Sequence, residues 1–84
     1  MINILPVNQL VSKRLKKYSL YKKFAKQLKL LSQNQKHPSL HTELLEPKQH
    51  GIYSFRIDRK YRALFIYRPD KQAVEILNIT VHYH

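Results

Sequence analysis

Cysteine is absent from these 84 residues, which removes disulfide staples and thiolate metal sites and leaves stability to packing alone. A reducing compartment fits that absence. No stretch approaches the roughly 18 consecutive apolar residues that span a bilayer. The opening, MINILPVNQL, lacks the positive n-region and long apolar h-region of a secretory signal. The expectation is a soluble, cytoplasmic protein with no membrane role. At this length the chain forms one domain, residues 1–84, with a small core that buries only about 60% of the surface the unfolded chain exposes.

Acidic side chains are also scarce. Sixteen Lys and Arg stand against five Asp and Glu, giving a formal net charge of +11, and no carboxylate precedes Glu43. Such a surplus costs self-repulsion and makes sense when a polyanion supplies the counter-charge. Nucleic acid or the ribosome is the first candidate, an anionic membrane the second and an acidic protein the third.

What is present falls into segments. Ile2 to Leu5 is a short apolar run stopped by Pro6 and reads as a strand. Asn8 can cap a helix carrying Leu10, Val11, Leu15 and Tyr18 at helical spacing, and Ser19 can cap a second. In the second helix Leu20, Tyr21, Phe24, Ala25, Leu28 and Leu31 mark the inner face, leaving Lys22, Lys23, Lys26 and Lys29 largely outside. The pattern fails at SQNQKHPS, and Leu40 to His50 reads as a loop containing Glu43 and Glu46. After Gly51, the sole glycine, β-branched and aromatic residues predict strands over Ile52 to Ile57, Tyr61 to Tyr67 and Ala73 to Val81. Turns at Asp58 to Lys60 and Arg68 to Gln72 separate them. The predicted fold class is α+β, in the order β-α-α-β-β-β, with two N-terminal helices on one face of a mainly antiparallel sheet.

Strand alternation places Arg56 with Ser54, and Arg62 with Leu64 and Ile66. A three-residue turn would set Arg56 directly opposite Arg62, an arrangement that repels unless an anion lies between them. On the last strand His82 falls with Thr80, Asn78 and Ile76, and Tyr83 with Val81, Ile79 and Leu77. The bland readings are solvent-facing arginines, a frayed terminal histidine, loop glutamates and solvated lysine faces. Tyr53, Phe55, Phe65 and Tyr67 suit core packing at least as well as an aromatic RNA-binding platform. His82 and His84 share a side of the strand without an evident third metal ligand.

The segments HPSL, GIYSFRIDRKYRALFIY and VEILNITVHYH, in that order, resemble the RelE/ParE superfamily of bacterial type II toxins, above all its YoeB-type branch of ribosome-dependent mRNA interferases. The resemblance covers nearly the whole chain. By position it implies that Arg62 is the hairpin arginine, Arg56 the second arginine, and His82 with Tyr83 the C-terminal pair. It implies Glu43 as the general base, with Glu46 close enough to compete, and His82 as the acid, while the sequence itself adds His84 as a second candidate acid. The chain departs from the pattern at Thr80 and Val81, where that branch commonly carries an Arg-Tyr pair, and in the extra His84. Activity weaker than the branch norm is the corresponding expectation. The resemblance further implies metal-independent endoribonuclease chemistry without a cofactor, an acidic antitoxin that wraps the toxin, and action on mRNA in the ribosome. Lys13, Lys16, Lys17 and Lys23 would then dock on RNA phosphates. The rival readings are a non-catalytic inhibitor of a protein such as DNA gyrase, as in the ParE branch, and a plain RNA-binding module.

Overall fold

The computed structural model describes residues 2–70 and 72–81. The two predicted helices and the C-terminal meander are all present. Strand β1 (Asn3–Ile4) leads into helices α1 (Gln9–Lys17) and α2 (Tyr21–Gln33), and strands β2 (Glu43–Leu44), β3 (Tyr53–Arg56), β4 (Tyr61–Arg68) and β5 (Ala73–Val81) follow. They form one sheet in the order β1-β5-β4-β3-β2, antiparallel throughout except for the parallel β1–β5 pair. Among the described residues no helix is long and apolar enough to cross a membrane.

Both helices pack on one face of the sheet. Asn8 caps α1 as expected, its Oδ1 accepting the Val11 amide at 2.9 Å, and Val11 and Leu15 point into the core. Arg14 ties the helix to the sheet by donating from Nη1 to the Ile79 carbonyl. The second cap differs from expectation. Leu20, not Ser19, occupies the N-cap of α2 without a side-chain bond, because Ser19 takes a left-handed backbone (φ 55°) to turn the chain between closely spaced helices. The apolar stripe is also narrower than predicted. Leu10 and Tyr21 are exposed, the Tyr21 hydroxyl bonding Ser12 Oγ, and Ala25 faces solvent. Phe24 and Leu31 carry the packing of α2, with Phe24 stacked on Phe55 at 6.1 Å between ring centroids. Phe55, Ala63, Phe65, Val74, Ile76 and Ile79 supply the sheet side of the core.

Two features overturn strict alternation and the loop reading. A bulge opposite Leu64 and Phe65 leaves Leu77 without a partner, so Asn78 pairs with Leu64 while Ile76 pairs with Phe65. Ile76 therefore joins the core instead of sharing the face of Thr80 and Asn78, and Leu77 drops out of the Ile79 row. Within the predicted loop, Glu43 and Leu44 form β2 on the edge of β3, with Glu43 opposite Ser54. A two-residue strand has no periodicity to read; distant pairing alone creates it.

Gln27, a polar residue in a helix, is buried for a reason of the same kind. Ladder β2 stops short of Arg56, whose backbone faces outward. Gln27 Nε2 fills the gap, donating to the Arg56 carbonyl at 2.7 Å and to the Ser39 carbonyl at 3.1 Å. Replacing it by leucine keeps the volume but strips both acceptors of their donor. Gln27→Leu should lower the unfolding free energy by about 1–3 kcal/mol in urea denaturation; an unchanged midpoint would mean that water serves the two carbonyls equally well.

Candidate active site

The face of the sheet opposite the helices carries the charged groups. Here the hairpin turns at Asp58 to Lys60 as predicted, and Arg56 stands directly opposite Arg62, which in turn pairs with Thr80. The next row along the same face is Glu43, Ser54, Leu64 and Asn78. Because Ile57 N bonds the Tyr61 carbonyl, Arg56 and Arg62 form a non-hydrogen-bonded pair, with Cα atoms about 4.5 Å apart and side chains close.

That proximity is resolved by splaying. Arg62 turns along the sheet: Nε donates to Ser54 Oγ at 2.9 Å, and Nη2 to the Ser54 carbonyl at 3.3 Å and to the His41 carbonyl. Arg56 turns the other way, its Nε reaching the Asp58 carbonyl at 3.3 Å. A single phosphate bridging both, as the sequence suggested, is thus not what this arrangement presents. Arg62 is only 6% exposed, so it is an embedded group and not a solvent-facing hairpin charge. Burial lowers its pKa, Glu43 opposes that shift and Arg56 adds to it; the guanidinium stays charged throughout the physiological range. Its Nη1 has no partner among the described residues.

The linker lies beside it. His37 caps the 3-10 turn Pro38–Leu40, its Nδ1 accepting the Ser39 amide, and Leu40 is fully buried. His41 then adopts a left-handed backbone (φ 44°), uncommon for a residue with a side chain, and its carbonyl accepts from Arg62. Glu43 follows two residues later on the arginine face, exposed and near enough for its charge to act on Arg62. Glu46 lies outside the strand. No polar side-chain atom is left buried without a partner among the described residues.

The lysines do not converge on this site. Lys13, Lys16 and Lys17 are exposed on α1, in the layer across the sheet, and Lys23 pairs with Asp58 at 3.1 Å. His82, Tyr83 and His84 lie outside the described residues. Phe55 and Phe65 are fully buried, Tyr53 stacks on Phe65 and Tyr67 meets it edge-on, so these rings build no open platform on the arginine face. A cleft of about 400 Å³ on the helix side, lined by Lys36, His37, His41, Tyr53 and Tyr67, contains no carboxylate; burial there, with Tyr53 alongside, pushes the Tyr67 hydroxyl pKa up. Sequence reasoning missed Ser54 as the anchor of Arg62. The signal was a serine sharing a strand face with two arginines.

The fold has close structural relatives. The YoeB/ParE toxin from Agrobacterium tumefaciens superposes with a TM-score of 0.74 at 15% identity, over 99% of this chain and 100% of that one. The archaeal RelE–RelB complex from Pyrococcus horikoshii matches with a TM-score of 0.75 at 18% identity, over 96% of each chain. The YoeB–YefM toxin–antitoxin complex from Staphylococcus aureus gives 0.72 at 21% identity over 99% of each. These likenesses define the class: an α+β fold of the RelE/ParE type. Within that class the YoeB and RelE relatives superpose about equally well, with TM-scores of 0.72 and 0.75. No family model matches the sequence. An uncharacterised protein of Haemophilus influenzae is 38% identical over 55 residues, 58% of this chain and 54% of that protein, so the match spans about half the length of this curated relative.

Two outcomes follow for the site. Ser54→Ala leaves Arg62 Nε without its acceptor in a buried setting and should cost about 1.5–3 kcal/mol in urea denaturation, whereas an effect within error would show the guanidinium anchored by carbonyls alone. Asp58 tests the turn. Its partial burial raises its pKa, but the Tyr61 and Lys60 amides and the bond and charge of Lys23 outweigh that, so the net shift is downward. A carboxylate held below its unfolded value stabilises the fold above about pH 4 and loses that contribution as pH falls through its folded value. Asp58→Asn should therefore flatten the acid limb of stability against pH; an unaltered limb would assign it to other carboxylates.

Proposed function

We propose that this chain is the toxin of a type II toxin–antitoxin pair and a metal-independent endoribonuclease that cuts mRNA on the ribosome. The observation that carries the reading is the placement of Glu43 beside a buried, thrice-anchored Arg62 on the open sheet face of a YoeB-like fold.

The chemistry uses the RNA's own nucleophile. Glu43 takes the 2′-OH proton as O2′ bonds to phosphorus, and the P–O5′ bond breaks, leaving a 2′,3′-cyclic phosphate and a 5′-OH. His82, two positions beyond Thr80 in the sequence, gives a proton to the leaving oxygen, the role for which an imidazole is the usual side chain. Arg62 stabilises charge on the phosphate oxygens. Its value lies in fixed orientation, since a donor already held in place spends no free energy on reorganising as charge develops. Tyr83 positions the phosphate or stacks on a base.

The lysine-rich helices, on the layer away from the site, serve docking. Lys13, Lys16 and Lys17 would meet rRNA phosphates while the sheet face meets mRNA, making association strongly salt-dependent. Solved relatives are complexes of YoeB with YefM and of RelE with RelB. By that likeness the cognate partner is an antitoxin, and the charge of +11 suits an acidic one.

The deciding experiment induces wild type, Glu43→Gln, His82→Ala and an Arg62→Ala/His82→Ala double variant, then maps mRNA 5′ ends on translating ribosomes. Codon-phased cuts are expected for wild type, with about 10²–10⁴-fold slower cleavage for either single variant. Growth arrest without phased cuts would replace this reading by inhibition of a protein target. Cleavage by His82→Ala at the wild-type rate would move the acid to His84.

A further inference from the structure

The turn that anchors Arg56 also borders a cleft that neither Glu43 nor Arg62 lines. It has a volume of about 360 Å³ and lies between α2 and the β3–β4 turn, with Lys23, Lys26, Gln27, Arg56, Asp58 and Arg59 on its walls. Four cations thus face one concavity containing a single carboxylate. That carboxylate is fully engaged: Asp58 Oδ1 accepts the Lys60 and Tyr61 amides, and Oδ2 accepts from Lys23. Lys26, Arg56 and Arg59 have no ion-pair partner among the described residues.

The walls are also held in place. Both donors of the buried Gln27 amide are spent on the Ser39 and Arg56 carbonyls, which fixes the α2 side against the edge of β3. The Arg56 guanidinium is held on the turn side by the Asp58 carbonyl. Like charges gathered around a concavity raise the local potential and favour an anion there. Because Arg56 and Arg62 are directly opposed yet splay apart, the anion positions they serve are neighbours and not one position. We infer that this cleft seats a second phosphodiester of the same RNA strand whose reacting phosphate lies at Arg62. The inference rests on the proposed function for the identity of the strand and on the cleft for the site.

The test uses the full chain and a fluorescein-labelled 2′-O-methyl RNA octamer, which lacks the nucleophile and cannot be cut. Its affinity is measured across a salt series for wild type, for Lys26→Ala/Arg59→Ala, and for Lys36→Ala/Lys48→Ala, a control that removes equal charge from exposed positions off the cleft. Urea midpoints confirm that all three fold. The cleft variant should bind about tenfold more weakly at about 100 mM salt, and its log–log salt slope should shrink by about 0.7 for a lost phosphate contact. The control should stay within about twofold of wild type. Equal losses in both double variants would overturn the cleft in favour of net charge. No binding by the wild type would overturn it outright, and so would saturation by inorganic phosphate without a differential loss of octamer. Ribosomal cleavage is scored separately: cleft-dependent binding without phased cuts retains this site and removes the interferase, while phased cuts without cleft dependence do the reverse.

Discussion

A guanidinium sealed against Ser54 and the His41 carbonyl joins two parts of the molecule that share no local sequence. Arg62 belongs to a central strand, whereas His41 belongs to the linker that delivers Glu43. Burying a cation without such acceptors would cost several kcal/mol, so the linker has one favourable seating on the sheet. The left-handed backbone at His41 is part of that seating, because it aims the carbonyl at the arginine. Glu43 reaches the arginine face as a consequence. The geometry of the candidate site thus follows from how one charge is accommodated.

The rest of the electrostatics is organised around scarcity. Among the described residues three carboxylates form ion pairs, Asp58 with Lys23 and both Asp70 and Glu75 with Arg68. Asp58 also closes the turn that sets Arg56 against Arg62. Those pairs secure turns and strand ends and leave most of the cationic surface uncompensated. Most of the unpaired lysines lie on the helix layer, whereas the open sheet face carries Arg56 and Arg62 together with Glu43 and Glu75.

Much of this was legible in the sequence. Asn8 marked the start of α1, the DRK turn fixed the register that opposes Arg56 to Arg62, and the aromatic strands announced the inner sheet face. The remainder depended on contacts distant along the chain. Glu43 and Leu44 become a strand only because β3 offers an edge. The bulge at Leu77 breaks a period that reads continuously through Ile76 to Val81. Gln27 sits where helical periodicity places an apolar residue, and its partners lie 12 and 29 positions away. Both arginines were recognised, and strand alternation set Ser54 on their face, but the His41 carbonyl that completes the seating of Arg62 lies 21 positions away, where no spacing rule reaches.

The shortness of β2 has a consequence for how the molecule meets copies of itself. An outer strand with open amides is a template on which another chain can add. Here a helix side chain completes what the two-residue strand leaves unfinished, so the margin of β3 is terminated by an amide and bordered by cations. A sheet ended in this way offers an incoming strand neither a free carbonyl at Arg56 nor a neutral surface to lie along. The same helix that carries exposed lysines thus also closes the sheet margin against strand addition at Arg56.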